Sequence, residues 1–281
     1  RIHRAGLKPL AWLKSELMWL ETLAIEGVRV PAPAGEIYTG ILEDEPLPVY
    51  CTLTSWLTGD HIAYANMTDD HIRTIGRFIA QLHTIASSFT PSASFLRPTL
   101  DYEGLFGENS PYNPKEGAKI FTDEQKQVMA QVQARVAQTF DQLGQTEQTF
   151  GLIHADLIGN NLVWEGNAVG AIDFNDCGYG YFLYDLAPLL WMNRNEPNYA
   201  RLRLMLWDGY NEIRPQPEKW MNTLNTFVAA RHVASCRWIA GNLSNPSVRA
   251  RAEIIIAERV EEMKSFLMQP NDLIKGDKLH G

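Results

Sequence analysis

The hydrophobic positions at the start of the chain follow first a helical and then an extended pattern. From Leu7 to Glu26, apolar residues recur at steps of three and four, as in an amphipathic helix, and Gly27 follows as a helix-ending residue. Residues 49–57 are rich in β-branched and aromatic side chains, and a turn sequence follows at residues 58–60. The first sixty residues therefore predict a helix followed by strands.

The pattern becomes mainly helical beyond residue 68. Asp69 or Asp70 can cap a helix with one apolar face, and a second helical stretch covers residues 122–143. His83 lies on the apolar face of the first of these helices, so we expect a hydrogen-bonded core histidine rather than a ligand. Between the two helices, residues 90–118 are rich in Pro, Gly, Ser and Asn and predict a long irregular segment.

Three short apolar segments, at residues 150–153, 161–164 and 168–172, interrupt the helical part. A turn sequence, Glu165-Gly166-Asn167, separates the last two, which predicts a β-hairpin. Beyond residue 184 the pattern is helical almost to the end. We therefore predict an α+β fold with two lobes: a small mixed α/β lobe over residues 1–58 and a larger, mainly helical lobe over residues 59–281.

Composition narrows the class of protein without changing this fold. Lys and Arg number 25 against 33 Asp and Glu, so the formal charge of −8 argues against a nucleic-acid partner, whose phosphates require a basic surface. The three cysteines lie far apart, fit neither a disulfide framework nor a CxxC metal site, and favour a reducing, cytoplasmic setting. No apolar run reaches the ~18 residues of a membrane span, and no signal-peptide pattern follows Arg1. The oligomeric state stays open.

Acid- and amide-bearing residues stand on both sides of the predicted hairpin. His154, Asp156 and Asn161 precede it in an H-x-D-x₄-N pattern, and Asp173 follows it in an Ile-Asp-Phe sequence. Phosphoryl transfer needs one carboxylate to orient the acceptor hydroxyl and accept its proton, and oxygen ligands to hold Mg²⁺ against the phosphates. Because a hairpin returns to its starting point, we expect Asp156, Asn161 and Asp173 to converge on one cleft.

These motifs resemble the aminoglycoside phosphotransferase family, a branch of the protein-kinase-like superfamily that also includes choline kinases, homoserine kinases and a bacterial stress-response protein kinase. The H-G-D-x₄-N of the family has Ala155 in place of its glycine, and residues 177–180 and 183–187 match the usual sequel. The resemblance implies a bilobal protein-kinase-like fold and an ATP-dependent phosphotransferase that uses Mg²⁺. It implies Asp156 as the catalytic base, His154 as an orienting residue, and Asn161 and Asp173 as magnesium ligands.

The resemblance extends to the start of the chain. Glu16 lies on a helix similar to the one whose glutamate, in this family, pairs with a basic residue that grips the phosphates, and Arg1 is the best match for that basic residue. Thr52, Leu53 and Thr54 lie where backbone groups of the family receive the adenine. The glycine-rich phosphate loop would precede Arg1, so the sequence is expected to begin inside the first lobe of a longer protein.

The sequence says least about the acceptor. Candidate acceptor-binding residues are Asp176 and Tyr179, just after the metal motif, and a wall from residue 95 to 112 that includes Arg97 and Asp101. Acidic and aromatic groups favour a cationic or hydroxylated small molecule, such as an aminoglycoside, an amino alcohol or a homoserine-like compound. Two alternatives remain open: a Ser/Thr protein kinase of the stress-response type, and a non-catalytic pseudokinase that acts as a binding module.

Overall fold

A computed structural model describes residues 1–3, 5, 6, 8–43 and 47–270; Leu7 and residues 271–281, which belong to two of the predicted segments, lie outside the described residues. The described chain forms two compact units. The first comprises Arg1–Pro98, Gly151–Tyr179 and Glu196–Pro215, and the second comprises the remaining segments. The lobe boundary at residue 58 stays a prediction.

The helices in chain order are α1 (Leu10–Ile25), α2 (Asp69–Ser88), α3 (Tyr102–Phe106), α4 (Asp123–Leu143), α5 (Ala187–Met192), α6 (Tyr199–Ile213), α7 (Leu224–Gly241), α8 (Pro246–Arg249) and α9 (Ala252–Met268). The strands are β1 (Ile2–His3), β2 (Tyr38–Gly40), β3 (Val49–Cys51), β4 (Thr99–Leu100), β5 (Phe150–Ile153), β6 (Leu162–Glu165), β7 (Ala168–Ala171) and β8 (Gly178–Tyr181). The segment predicted to be irregular, residues 90–118, contains β4, α3 and the start of a 3₁₀ turn.

Helix α2 begins one residue earlier than its acidic residues suggest. The Thr68 hydroxyl accepts a hydrogen bond from the His71 backbone N–H, and the His71 ring accepts one from the Thr68 N–H, each at 3.2 Å. Thr68 is therefore the cap, in place of the expected Asp69 or Asp70. Those two acids occupy the first turn instead, where they face the positive end of the helix dipole.

The first unit contains a small antiparallel sheet with the strand order β1-β3-β2. Cys51 at the centre of this sheet pairs with Ile2 on one side and with Tyr38 on the other. Beyond β3 the chain stays extended as far as an isolated bridge between Thr54 and Pro33. This confirms a strand followed by extended chain within residues 49–57.

Helix α2 packs along α6, which joins the first unit late in the chain. Gly76 of α2 lies against the backbone of α6, and Gly209 of α6 lies against the backbone of α2. His83 is fully buried on the same face, and its Nδ1 lies 2.9 Å from the Tyr210 hydroxyl. His83 is therefore the hydrogen-bonded core residue that its position predicts.

Strands β6 and β7 form the predicted hairpin. Leu162 pairs with Ala171 and Glu165 with Ala168, and Gly166 turns the chain with a left-handed φ of 58°. The Trp164 ring of β6 packs edge-on against the His71 ring, with centroids 4.8 Å apart. The start of α2 thus supports the hairpin whose two ends carry the polar motifs.

The second unit is built on α4, α5, α7 and α9. Helix α7 buries residues on all of its faces, as the central helix of a bundle does. Phe140 of α4 stacks on Tyr181, with ring centroids 4.1 Å apart. Among the described residues, no helix combines the length and the apolar character needed to cross a membrane.

Candidate active site

The loop between β5 and β6 is held in shape by a buried histidine. His154 Nδ1 accepts a hydrogen bond from the Asp156 backbone N–H at 3.3 Å, so Nε2 carries the ring proton and donates it to Ile172 O at 3.0 Å. Ala155, between the two motif residues, has a left-handed φ of 70°. The His154 ring therefore ties the loop to the far end of the hairpin.

Asn161 contacts Asp156 directly. Its side-chain Nδ2 donates to Asp156 O at 2.8 Å and to Asp156 Oδ2 at 3.3 Å. Since the amide nitrogen faces Asp156, the amide oxygen of Asn161 points to the opposite side. Asn161 O also accepts a hydrogen bond from Ile172 N–H at 2.9 Å. The residue just before Asp173 is thus held by both His154 and Asn161.

Asp173 follows the hairpin in a left-handed conformation, with φ 62° and ψ 59°. Its Oδ1 lies 2.6 Å from the guanidinium of Arg1, and the two side chains are 45% and 44% exposed. An ion pair this exposed is screened by water and contributes little to stability. The Asp173 carboxylate is therefore accessible to a ligand of the first unit.

Asp173 lies on the wall of a cavity of about 420 Å³, within the range of small-molecule sites. The wall also contains Arg1, Glu16, Thr52 and Thr54, four of the residues that the sequence assigns to the nucleotide. Apolar side chains complete it: Leu17, Leu20, Pro31, Leu57, Val163, Ile172 and Phe174, with the exposed Trp56 beside them. The described residues thus form a pocket whose wall combines charged and polar groups with a continuous set of apolar side chains.

The expected ion pair between Glu16 and Arg1 is not the one the structure forms. Glu16 Oε2 lies 3.6 Å from the Arg97 guanidinium, whereas Arg1 pairs with Asp173. The Arg97 side chain is 0% exposed, so Arg97 is not part of an acceptor-binding wall as its loop position suggested. Burial raises the pKa of the Glu16 carboxyl, and the positive charges of Arg97, Lys8 and Arg1 oppose that shift.

The extended chain after β3 presents one residue's backbone to this cavity. Leu53 O accepts from Ala34 N–H at 2.9 Å, and Ser55 N–H donates to Ala32 O at 2.8 Å. Because peptide groups alternate in direction along an extended chain, Thr54 N–H and C=O point the other way. Thr54 lines the cavity, while Leu53 is 52% exposed with its carbonyl already engaged.

The three tentative acceptor residues have different surroundings. Asp176 Oδ1 accepts from Lys8 Nζ at 3.2 Å, and Lys8 also donates to Asn175 O. Tyr179 is half-buried, which raises the pKa of its phenol. Asp101, in the second unit, caps α3 by accepting from Gly104 N–H at 2.9 Å. Asp176 thus forms an ion pair, while Asp101 has a local structural bond.

The sequence did not indicate Lys8 as a site residue, and it indicated Arg97 only as part of an acceptor-binding wall. Both are cations that donate to backbone carbonyls of residues 174–177, and Lys8 also donates to the Asp176 carboxylate. Burial lowers the pKa of the Lys8 ammonium, and Asp176 opposes that shift. Lysine or arginine beside proline occurs on many protein surfaces, so no local sequence signal marks these two positions.

Asp173 and Asn161 carry oxygen donors of the kind that suits a hard divalent cation. Asp173 has a carboxylate, and Asn161 has an amide oxygen because its nitrogen is bonded to Asp156. Mg²⁺ prefers such oxygens and takes its other ligands from water and phosphates. Asp173 and Asn161 would therefore be the residues that hold it.

The chain has a protein-kinase-like fold, as predicted. It matches a solved microcompartment-associated aminopropanol kinase with a TM-score of 0.83 and 23% identity, over 97% of this chain and 86% of that one. It also matches an amicoumacin kinase in complex with AMP-PNP, Ca²⁺ and Ami with a TM-score of 0.73 and 18% identity, over 91% and 79% of the two chains. At these identities the likeness establishes the fold.

The sequence model of the phosphotransferase enzyme family matches residues 1–220, and the chain belongs to this family. This confirms the resemblance stated from the motifs. Amicoumacin kinase of Bacillus subtilis (strain 168) is 25% identical over 189 residues, which are 64% of this chain and 52% of that relative. The chain thus spans about half the length of this curated relative.

Proposed function

We propose that the protein is a phosphotransferase that moves the γ-phosphate of ATP to a hydroxyl of a small molecule. The observation that carries this proposal is a linked set of contacts. Asn161 donates to Asp156, and both His154 and Asn161 bond to Ile172. Ile172 directly precedes Asp173, and both residues line the cavity. This set joins a candidate base to candidate metal ligands beside a pocket large enough for a nucleotide.

In the proposed reaction, the Asp156 carboxylate orients the acceptor hydroxyl and accepts its proton. The acceptor oxygen forms a bond to the γ-phosphorus, and the bond from that phosphorus to the β–γ bridging oxygen breaks, so ADP leaves with the electron pair. The Asn161 hydrogen bond to Oδ2 fixes the carboxylate, and the other carboxylate oxygen can face the acceptor. Mg²⁺ held by Asn161 and Asp173 would neutralise phosphate charge.

The nucleotide would occupy the cavity of the first unit. Thr54 N–H and C=O match the donor and acceptor edge of a purine, and the apolar wall with Trp56 can cover the base. Arg1 lies beside Asp173 and can contact a phosphate without leaving the cavity wall. Thr52 and Glu16 would shape the pocket rather than bond to the base.

For the acceptor we propose an amine-bearing alcohol. The formal charge of −8, the partly exposed carboxylate of Asp176, of which one oxygen pairs with Lys8, and the half-buried Tyr179 favour a cation that also carries a hydroxyl. The solved structural neighbour with the higher TM-score is an aminopropanol kinase, whose named substrate has both groups. Aminoglycosides and homoserine-like compounds belong to the same chemical class.

The test is transfer of labelled phosphate from ATP with Mg²⁺ to a panel of amino alcohols, each beside the same alcohol without its amine, and to Ser- and Thr-containing peptides. Asp156→Asn keeps the side-chain size and one acceptor oxygen for Asn161. We expect it to reduce transfer by at least about 10²-fold, the scale of general-base catalysis, with ATP affinity unchanged.

Each outcome selects one function. Transfer to the amine-bearing alcohols supports the proposal, and transfer only to peptides would identify a protein kinase. Binding of ATP without transfer to any member would favour a non-catalytic binding module. Equal rates for Asp156→Asn and the parent would remove Asp156 from the mechanism.

A further inference from the structure

A short segment at residues 96–98 lies between α1 and the chain that follows Asp173. Leu96 N–H donates to Ser15 Oγ of α1 at 2.7 Å, and Pro98 O accepts from Tyr179 N–H at 2.8 Å. Arg97, between these two anchored residues, turns its side chain inward and is completely covered. The segment therefore places one guanidinium in the interior of the first unit.

That guanidinium bonds to three carbonyl groups just after Asp173. Arg97 Nε donates to Cys177 O at 2.7 Å, and one terminal nitrogen donates to Asn175 O at 2.9 Å and to Phe174 O at 3.3 Å. An arginine has five N–H donors in a rigid plane, so it can hold several carbonyls in one fixed arrangement. The backbone from 174 to 177 is thus fixed to a single side chain.

The other side of the same guanidinium bonds to α1. Its second terminal nitrogen donates to Trp12 O at 3.0 Å and lies 3.6 Å from Glu16 Oε2. A buried cation is costly unless its donors are bonded, and all three nitrogens of this guanidinium donate to backbone carbonyls. Arg97 consequently connects the helix that carries Glu16 to the backbone that carries Asp173.

We infer that Arg97 is a positioning residue for Asp173: it fixes the backbone after Asp173 against α1, and so sets where the Asp173 carboxylate meets a metal–nucleotide ligand. The metal–nucleotide ligand in this inference rests on the proposed function, whereas the contacts of Arg97 do not depend on it. Lys8 also donates to Asn175 O, but it contacts only one of the three carbonyls.

The first test needs no ligand. Cys177 and Cys236 are both fully buried free thiols, in different units. Arg97→Met removes the bonds to the 174–177 backbone while keeping an apolar side chain of similar length. We expect it to raise the alkylation rate of Cys177 by about tenfold or more, measured by mass spectrometry, and to leave that of Cys236 unchanged.

A matched control is available in the second unit. Arg135 donates to Phe266 O and Leu267 O at 3.0 Å and to Gln269 O at 2.9 Å, so it is also an arginine that holds three carbonyls. Arg135→Met should cost stability without changing Cys177 alkylation. If Arg135→Met exposes Cys177 as strongly as Arg97→Met, the effect is general loosening and the inference is wrong.

The second test measures Mg²⁺ affinity in the presence of ATP by calorimetry. Loss of a group that orients a metal ligand lowers metal affinity by roughly 10–100-fold. We expect Arg97→Met to weaken Mg²⁺ binding by a factor in that range, similar to the factor for Asp173→Asn. The affinity for ATP in the absence of Mg²⁺ should change by less than about threefold. Arg97→Lys keeps the positive charge beside Glu16, and its Mg²⁺ affinity should lie between those of the parent and of Arg97→Met. It also serves as the test variant if Arg97→Met fails to fold.

The two measurements separate the possible failures. Unchanged Mg²⁺ affinity in both Arg97 variants, with the parent binding Mg²⁺ and ATP together, overturns the inference alone. A parent that shows no Mg²⁺-dependent ATP binding overturns the proposed function, and Cys177 alkylation then still decides whether Arg97 holds the segment. An unchanged Cys177 rate in Arg97→Met shows that it does not.

Discussion

At the scale of single residues, a left-handed residue precedes the proposed base, and the proposed metal ligand Asp173 is itself left-handed. Ala155 precedes Asp156 with φ 70°, and Asp173 itself has φ 62°. A side chain in this region of backbone space costs about 1–2 kcal/mol relative to glycine. Such strain persists where the surrounding bonds dictate the conformation, and here His154 and Asn161 both hold Ile172, beside Asp173.

Ala155 offers a direct measure of this strain. We expect Ala155→Gly to change the free energy of unfolding by less than about 0.5 kcal/mol, because relief of the left-handed strain offsets the added freedom of the unfolded chain. Ala234→Gly, at a fully buried position inside α7, should cost about 1 kcal/mol or more. Urea unfolding of the two variants checks this, and equal losses would show that Ala155 is not strained.

Residue patterns predicted part of the site for an identifiable reason. Asp156, Asn161 and Asp173 lie next to one hairpin in sequence, so local spacing suffices to bring them near each other. Arg97 binds carbonyls about eighty positions further along, and a carbonyl group is the same in every residue. Its role therefore leaves no mark in the sequence, and neither does the exchange of Arg1 for Arg97 as the partner of Glu16.

At the scale of elements, α2 and α6 approach through a reciprocal pair of glycines. A Cβ at Gly76 would lie 2.3 Å from Leu206 O, and one at Gly209 would lie 2.1 Å from Arg73 O. These neighbours are backbone atoms of the facing helix, so they cannot move aside as a side chain could. The helices can pack at this distance only because both positions lack a side chain.

Alanine at Gly76 should therefore destabilise the protein although alanine favours a helix. The gain in helix propensity is about 1 kcal/mol, whereas a steric clash with a facing backbone costs about 1–3 kcal/mol and occasionally more. We expect Gly76→Ala to lose about 1–2 kcal/mol in urea unfolding, because rigid backbone atoms place the clash at the upper end of that range. In the Gly76→Ala background, Gly209→Ala should cost less stability than it costs in the parent, because the first substitution has already separated the helices.

Gly40→Ala in β2 is a suitable control for this pair. Its Cβ would meet Val49 Cγ2 at an ordinary 3.6 Å, and a strand glycine replaced by alanine gains rather than loses stability. If Gly76→Ala proves as stable as Gly40→Ala, the helices do not approach as closely as described. The pairing of α2 with α6 was not predictable, since more than a hundred residues separate them and helical periodicity does not name a partner.

At the scale of the whole molecule, buried histidines link stability to pH in both units. Burial, together with the charge of Arg1, lowers the pKa of His3 in the first unit to about 4. Burial, followed by the charges of Arg194 and Arg259, lowers the pKa of His232 in the second unit well below its usual range. Both imidazoles are neutral in the fold, so the unfolded chain binds more protons and stability falls as the pH drops below about 6.5.

Glu16 contributes with the opposite sign. Its pKa is raised by burial, so the folded state holds a proton longer than the unfolded state, and stability is lost as the pH rises through the folded pKa. The net pH dependence of the parent therefore combines opposing contributions. Comparing the parent with a variant at one histidine isolates the contribution of that histidine to the pH dependence of stability, because Glu16 contributes equally in both proteins.

His232→Asn is the variant that isolates the second unit. The Trp191 indole donates to His232 Nδ1 at 3.2 Å, and an asparagine oxygen can accept in the same place without taking up a proton. Between pH 7.5 and 5.0 the parent should lose up to about 2 kcal/mol more than His232→Asn, since each unequally bound proton is worth about 1.4 kcal/mol per pH unit below 6.5. Urea unfolding at both pH values measures the difference. Parallel losses in the two proteins would mean that His232 binds its proton in the folded state, against the burial and the charges of Arg194 and Arg259 that oppose it.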